Sequence, residues 1–321
     1  MSNSMMLRKF FLFLLFAFFS CLTIFAKEYS FGLYITDIYN FDQVNQTFQA
    51  DLWLWINYFG DEVDFNGTLD FINSLDETQK NYQSEHFSDL NRNYMQQKFT
   101  GTFRCEWNLR RFPFDKNVLS LEIEDFRPIE EINFVPDYEN SMIDSSIAFN
   151  EWDISPLYID ARPFTYDSNF GDFSAPDKKS SYSRIVASVT VSRRTPWITF
   201  FKLTFGVYIA FVLSVISFAI RPETDSRLSL PCAALFAVVS NKYVVESVVP
   251  SSVNLTMLDS IHIITMLCIL LICVVVIKTD GLRSSGDTVK VKKSFLIDKV
   301  FALVICLVYA TFNVWALVPY N

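Results

Sequence analysis

Two histidines, His86 and His262, are all the imidazole the chain possesses, and neither stands in a spacing that pairs a nucleophile with a base or gathers metal ligands. No enzyme chemistry, cofactor or metal is therefore expected. The residues that invite a chemical reading are polar side chains set inside an apolar stretch. Ser229, Ser240, Asn241, Lys242, Tyr243 and Glu246 interrupt segment 228–249, where a helix facing only lipid would be apolar throughout. Steps of four and three residues put Ser229, Ala233, Phe236, Ser240, Tyr243 and Ser247 on one face, with Leu228, Leu230, Leu235, Val238, Val239 and Val245 elsewhere. Such a stripe suits a water-filled path enclosed by several copies around an axis, hence a cyclic homo-oligomer. It equally suits hydroxyls bonded to backbone carbonyls within an ordinary bundle, and periodicity leaves both open. Pro231, which has no amide proton, predicts a bend or loosening in the first turns.

The elements that must position this stripe follow from where the apolar residues lie. The 321 residues are 51% hydrophobic with 33 Phe, concentrated toward the two ends. Arg8 and Lys9 followed by a Phe- and Leu-rich run ending before Lys27 predict a signal peptide over 1–26, with a retained membrane anchor as the alternative. From Lys27 to Thr195 there are 28 acidic against 15 basic residues, together with recurrent aromatics, which describes an acidic, folded domain outside the cytoplasm with no call on nucleic acid. Of the six cysteines only Cys105 falls in this region once the leader is set aside, so core packing rather than a disulfide must hold it.

Between 31 and 195 the pattern has period two. Leu119, Leu121 and Ile123 alternate with Ser120, Glu122 and Glu124, and Ile185, Ala187, Val189 and Val191 alternate with Ser188, Thr190 and Ser192. Strands are predicted at 48–58, 99–109, 117–124, 152–160 and 182–193, and half-buried strands of this kind need a second sheet opposite. Four apolar stretches follow Pro196, near 197–220, 228–249, 256–277 and 295–318, each long enough to span ~30 Å of hydrocarbon. Lys278, Arg283, Lys290, Lys292 and Lys293 place the loop between the last two in the cytoplasm. The expected fold is an all-β extracytoplasmic immunoglobulin-like sandwich (27–195) followed by an all-α four-helix transmembrane bundle (196–321).

At Phe112-Pro113-Phe114-Asp115, directly ahead of the alternating strand 117–124, the sequence resembles the pentameric ligand-gated channels of the Cys-loop receptor type, their bacterial branch in particular. In animal members two cysteines bracket this loop. Here Cys105 matches the first and Leu119 stands at the second, so the disulfide is missing. A second likeness is Arg193-Arg194-Thr195-Pro196-Trp197 before the first crossing, and a third is the separation of Arg227 from Pro250 around segment 228–249. The resemblance implies that Asp115 meets Arg194 at the seam between domains, with Phe112, Pro113, Phe114 and Pro250 sharing the gating interface. It also implies that Ser229, Ala233, Phe236, Ser240 and Tyr243 line the pore, with Phe236 at the mid-pore ring. Gly206 and Pro231 depart from the animal pattern.

The resemblance further implies a homopentamer in the membrane lipid, in the inner membrane of a bacterium, passing monovalent ions. Asp225, Glu223 and Glu246 favour cations along the route, whereas Arg227 and Lys242 oppose them, and the balance leans to cations. The ligand is expected between neighbouring sandwiches, in an aromatic box able to hold an amine. Candidates are Phe126, Tyr166, Phe170 and Phe173 on one side and Trp53 or Trp55 from the facing subunit, each of which also suits plain core packing. His262, near Asp259 inside the third crossing, is expected either to form a proton-sensitive pair with it or, as is more frequent for such groups, to hydrogen-bond a neighbouring helix. A non-conducting receptor or binding protein of the same fold is the competing function.

Overall fold

Alternation of apolar and polar side chains builds the first half of the chain as strands. The computed structural model describes residues 27–147, 149–171, 179–220, 226–249 and 255–318. Among the described residues eleven strands form two sheets: β1 (Glu28–Asp42), β2 (Thr47–Phe59), β3 (Leu69–Phe71), β4 (Ser74–Phe87), β5 (Arg92–Arg104), β6 (Lys116–Asp125), β7 (Asn133–Pro136), β8 (Met142–Ile143), β9 (Trp152–Ile154), β10 (Tyr158–Tyr166) and β11 (Ser180–Arg193). One sheet runs β4-β5-β2-β1-β7 with β8 also beside β1. The other runs β10-β11-β6-β3 with β9 beside β11. All pairings are antiparallel except those of β1 with β7 and β8.

The inner faces meet through Phe31, Leu33, Leu52, Leu54, Phe99 and Phe103 from the first sheet and Phe71, Leu121, Ile123, Ile185 and Val191 from the second, all buried. Phe71 links the two, its ring 4.9 Å from Phe99 and 5.3 Å from Phe103. On the outer face of β2, Trp55 pairs in register with Gly32 of β1. A Cβ at Gly32 would overlap the indole, so the mid-strand glycine is what lets Trp55 lie flat on the sheet.

The expected strand 152–160 is broken into β9 and β10 around Pro156, which has no amide hydrogen for the ladder. The expected strand 99–109 begins earlier, at Arg92, and ends at Arg104. Its first half is masked in sequence by buried amides. Asn93 donates to the Gly60 carbonyl at 2.8 Å and Gln97 to Gln79 Oε1 at 3.2 Å, so polar residues occupy inward positions.

Four helices follow: α1 (Pro196–Ile216), α2 (Ser226–Val248), α3 (Met257–Arg283) and α4 (Thr288–Leu317). Pro196 opens α1, where the missing amide hydrogen costs nothing. Thr256 and Asp259 form a reciprocal capping box at the start of α3. α2 runs without interruption through Pro231, which has no amide hydrogen to offer the carbonyl one turn before it. α3 and α4 extend well into the stretch expected as a loop between 278 and 293. Near mid-bundle the rings of Phe211 and Tyr309 stack at 3.9 Å, and the Tyr309 hydroxyl lies 2.8 Å from Thr265, fastening α4 to α1 and α3.

Candidate functional site

Three places carry the residues singled out above. The first is the outer face of the second sheet, where parity along the strands puts Glu122, Glu124 and Phe126 beside Phe164, Tyr166, Tyr182 and Arg184. Tyr166 is packed edge-on against Phe164 at 4.8 Å, Phe170 at 5.2 Å and Tyr182 at 5.7 Å. Inside this cluster lies a buried cation. The Arg184 guanidinium sits 3.6 Å from the Phe164 ring centroid, bonds Glu124 at 2.5 Å and Glu122 at 2.6 Å, and donates to the Tyr166 hydroxyl at 2.9 Å.

Phe170 is 65% exposed, as is Phe126 at the end of β6, where the Arg127 guanidinium covers it at 5.4 Å. Trp53 and Trp55 lie on the outer face of the other sheet, so one chain does not bring them to the Tyr166 cluster. Trp55 is also committed, its indole donating to Asp137 at 3.1 Å. Phe173 lies outside the described residues. Sequence reading missed Phe164, Tyr182 and Arg184, although the same alternation that exposes Tyr166 would have found them.

The second place is the seam below the sandwich, and here one expectation is corrected. Arg194 does not meet Asp115; it pairs with Asp153 at 2.9 Å, and both side chains are more than half exposed. The guanidinium turned inward here is that of Arg193, which is partly buried. It lies 4.7 Å from the Phe112 ring and 4.6 Å from Trp152, and donates to Gln43 Oε1 at 2.9 Å. The cause is parity along β11: Val189 and Val191 point inward, so Arg193 does too and Arg194 points out. Phe41, Trp107 and Trp152 close an aromatic floor around it, with centroids 5.1 to 6.4 Å apart.

Asp115 is buried beside this cation. Its Oδ2 accepts from Asn117 at 2.6 Å, while among the described residues Oδ1 has no hydrogen-bond partner. Burial pushes its carboxyl above the ordinary range, and its own backbone amide, the Arg193 charge and the Asn117 amide pull it back only in part. A folded state that holds this proton more tightly than the unfolded chain gains stability below the ordinary carboxylate value of about 4 and loses it as pH rises through the raised value. Asp115→Asn should therefore flatten the fall in stability over that window. Thermal unfolding at stepped pH checks it, and an unaltered slope would count against the assignment.

From this loop two contacts reach the helices. Phe114 packs on Trp197 at 4.7 Å and on Phe200 at 5.8 Å of α1. The backbone amide of Met257, first residue of α3, donates to the Arg110 carbonyl at 2.8 Å. A cavity of about 640 Å³ lies between the two halves, lined by Arg111, Phe114, Leu255, Met257 and Trp315 among others. Pro250 lies outside the described residues.

The third place is α2. Pro231, Ala234, Val238, Val245 and Val249 are buried against the other helices. Ser229, Ala233, Phe236, Ser240, Tyr243 and Ser247 are exposed about half a turn away, with Phe236 76% and Tyr243 69% accessible. Glu246 pairs with Lys242 one turn before it at 3.3 Å, so the two charges expected to act in opposition offset each other. Arg227 does not face the exposed side at all; it is 1% exposed, between Asp280 and Asp298. Asp225 and Glu223 lie outside the described residues.

Asn241, at the edge of the stripe, turns inward and donates to the Leu203 carbonyl at 2.8 Å and to His262 Nε2 at 3.0 Å. His262 Nδ1 lies 2.8 Å from the Leu258 carbonyl, which requires the proton on Nδ1 and leaves Nε2 to accept. Of the two expectations for His262 the structure shows the bond to a neighbouring helix: His262 accepts from Asn241 of α2, while Asp259 serves the cap of α3. Gly206, a departure from the animal pattern, is the residue that Asn241 Oδ1 faces; a Cβ there would stand 3.2 Å from it.

No protein-family model matches the chain. It is similar to a curated nematode channel. Over 281 residues it is 21% identical to ligand-gated ion channel 4 of Caenorhabditis elegans, a stretch covering 80% of this chain and 43% of that protein. The chain thus spans less than half the length of the curated relative it matches. All four helices are long and apolar enough to cross a membrane. The four helices describe a multi-pass membrane protein.

Proposed function

We propose that the chain is one subunit of a homopentameric ligand-gated channel for monovalent cations, with the sandwich outside the cytoplasm. The observation that carries this reading is the exposed face of α2. Hydroxyl-bearing and small residues lie there opposite the face that packs on α1 and α3, and a polar stripe at membrane depth needs water or protein against it. Copies gathered about an axis supply both, and the fivefold count comes from the resemblance at Phe112–Asp115. Leu119, in place of a second cysteine, supports the bacterial affinity and with it an inner-membrane location.

Phe236 forms the constriction, a ring of phenyl groups that excludes water when closed. The agonist is a small molecule, an amine in this reading, held between the Tyr166–Phe170 cluster of one subunit and Trp53 of the next. Because Arg184 already occupies the face of Phe164, an ammonium ligand is drawn by the one carboxylate in excess over that cation among Glu122 and Glu124. Binding tightens this site and favours a second packing of the sandwich on the helices, transmitted through Phe114 on Trp197 and the Arg110–Met257 bond. The agonist must bind the open packing more tightly to shift the population.

Recording from purified protein in planar bilayers, under a salt gradient with small amines and pH steps as probes, tests the proposal, while electron microscopy counts subunits. Steps of cation current from fivefold particles are expected. No current with any probe, together with a Phe236→Ala protein as tight as the wild type, would favour a non-conducting receptor of the same fold.

A further inference from the structure

At the end of the bundle away from the sandwich, the channel reading leaves a cluster of charges without a task. Arg227 opens α2, where a long basic side chain ordinarily extends its charge to water. Here it is withdrawn. Nη1 donates to Asp280 Oδ1 at 2.6 Å, and Nη2 donates to Asp298 Oδ2 at 2.5 Å and to Thr279 Oγ1 at 3.1 Å. Arg283 reaches the same Asp298 oxygen and donates to Ser294 at 2.8 Å, its guanidinium 4.3 Å over Phe295. Two arginines and two aspartates from three helices so neutralise one another.

Removing four charges from water is costly, and packing alone would be served as well by apolar residues. The direction of the withdrawal is informative. Arg227 lies on the face of Pro231, Ala234 and Val238, about half a turn from Ser229, where the exposed stripe begins. Free of its partners, the guanidinium would put a fixed positive charge beside Ser229 in each subunit, at the mouth of the proposed path, where like charge excludes cations.

We infer that Asp280 and Asp298 are charge-selectivity residues: positioning groups that act through Arg227, holding its guanidinium against α3 and α4 and away from the mouth of the path. This rests on the channel reading of α2. It assigns selectivity to side chains that never touch the ion, on helices remote from the stripe.

The test has two arms. Wild-type, Asp298→Asn and Asp280→Asn proteins, opened by the screened amines or by the added Phe236→Ala change, are recorded under a NaCl gradient. In parallel each is treated with phenylglyoxal, and modification of Arg227 is read by mass spectrometry on material eluting as the wild-type oligomer. Arg227 should be protected in the wild type and modified in both variants, with the sodium-to-chloride permeability ratio falling about tenfold. Adding Arg227→Gln to Asp298→Asn should restore the wild-type ratio, which a merely structural role would not do. Asp280 is partly exposed, so Asp280→Asn carries the test if Asp298→Asn fails to assemble. Equal protection of Arg227 in every protein, or modification without any change in permeability ratio, overturns the inference. A silent wild-type protein overturns the channel reading and the selectivity claim with it, and the labelling then decides alone whether the aspartates hold Arg227.

Discussion

Bilayers containing the Phe236→Ala protein should carry current without any ligand, about tenfold or more above the wild-type leak. The side chain is 76% exposed on a single chain, so its removal leaves no cavity in the described packing, and folding stability should change by no more than about 0.5 kcal/mol. A change that leaves the fold intact yet opens the path separates conduction from assembly. In the proposed closed ring the phenyl groups of five subunits keep the constriction dry. Methyl groups at the same five places leave room for a continuous file of water. Equal leak in the two proteins, from particles of the same size, would remove Phe236 from the gate, and attention would pass to Tyr243, the other exposed aromatic of the stripe.

The second large effect belongs to the seam. Arg193→Ala takes a partly buried guanidinium from between Phe112 and Trp152, breaks its bond to Gln43 and removes the cation beside Asp115, a loss of about 1.5–3 kcal/mol. Arg194→Ala breaks only the exposed pair with Asp153, worth about 0.2–1 kcal/mol. Denaturant midpoints in detergent should rank the two accordingly. Arg193→Lys should fall close to Arg193→Ala, because a compact ammonium cannot stack flat on two rings. Equal costs for the two alanine variants, or a larger one at Arg194, would reverse the assignment of the inward cation.

Position 193 also shows where sequence reasoning stopped short. The alternation Ile185, Ala187, Val189, Val191 is plain in the sequence, and one more step of two arrives at Arg193. A motif likeness anchored on the neighbouring residue drew the expectation to Arg194, and strand parity overrules it. On α2 the stripe is exposed, but so are Leu228, Val239, Val244 and Val248, because little of this helix is covered within one chain.

Other features left no trace of that kind. β4 reads Ser74-Leu-Asp-Glu-Thr-Gln-Lys and onward with almost no apolar alternation, because it is an edge strand whose side chains are mostly half or fully exposed. Only its ladder with β5 makes it a strand. Arg283 enters the sequence argument only through its sign, which orients the chain, and Asp298 does not enter it at all. The cluster they form with Arg227 depends on how three helices meet, and no count of charges holds that information.

The Arg110–Met257 bond gives the joint between sandwich and helices an unusual genetic property. Both of its partners are main-chain atoms, so ordinary substitutions at either position leave it whole, and sequence drift can proceed there without uncoupling the two halves. Only an imino acid deletes it. Met257 occupies the first helical position and Thr256 before it has φ −80 and ψ 163, a conformation that tolerates a following proline. Met257→Pro therefore cuts one wire while sparing the helix, and Met257→Ala, which trims the same side chain but retains the amide hydrogen, tells the cut from the trim.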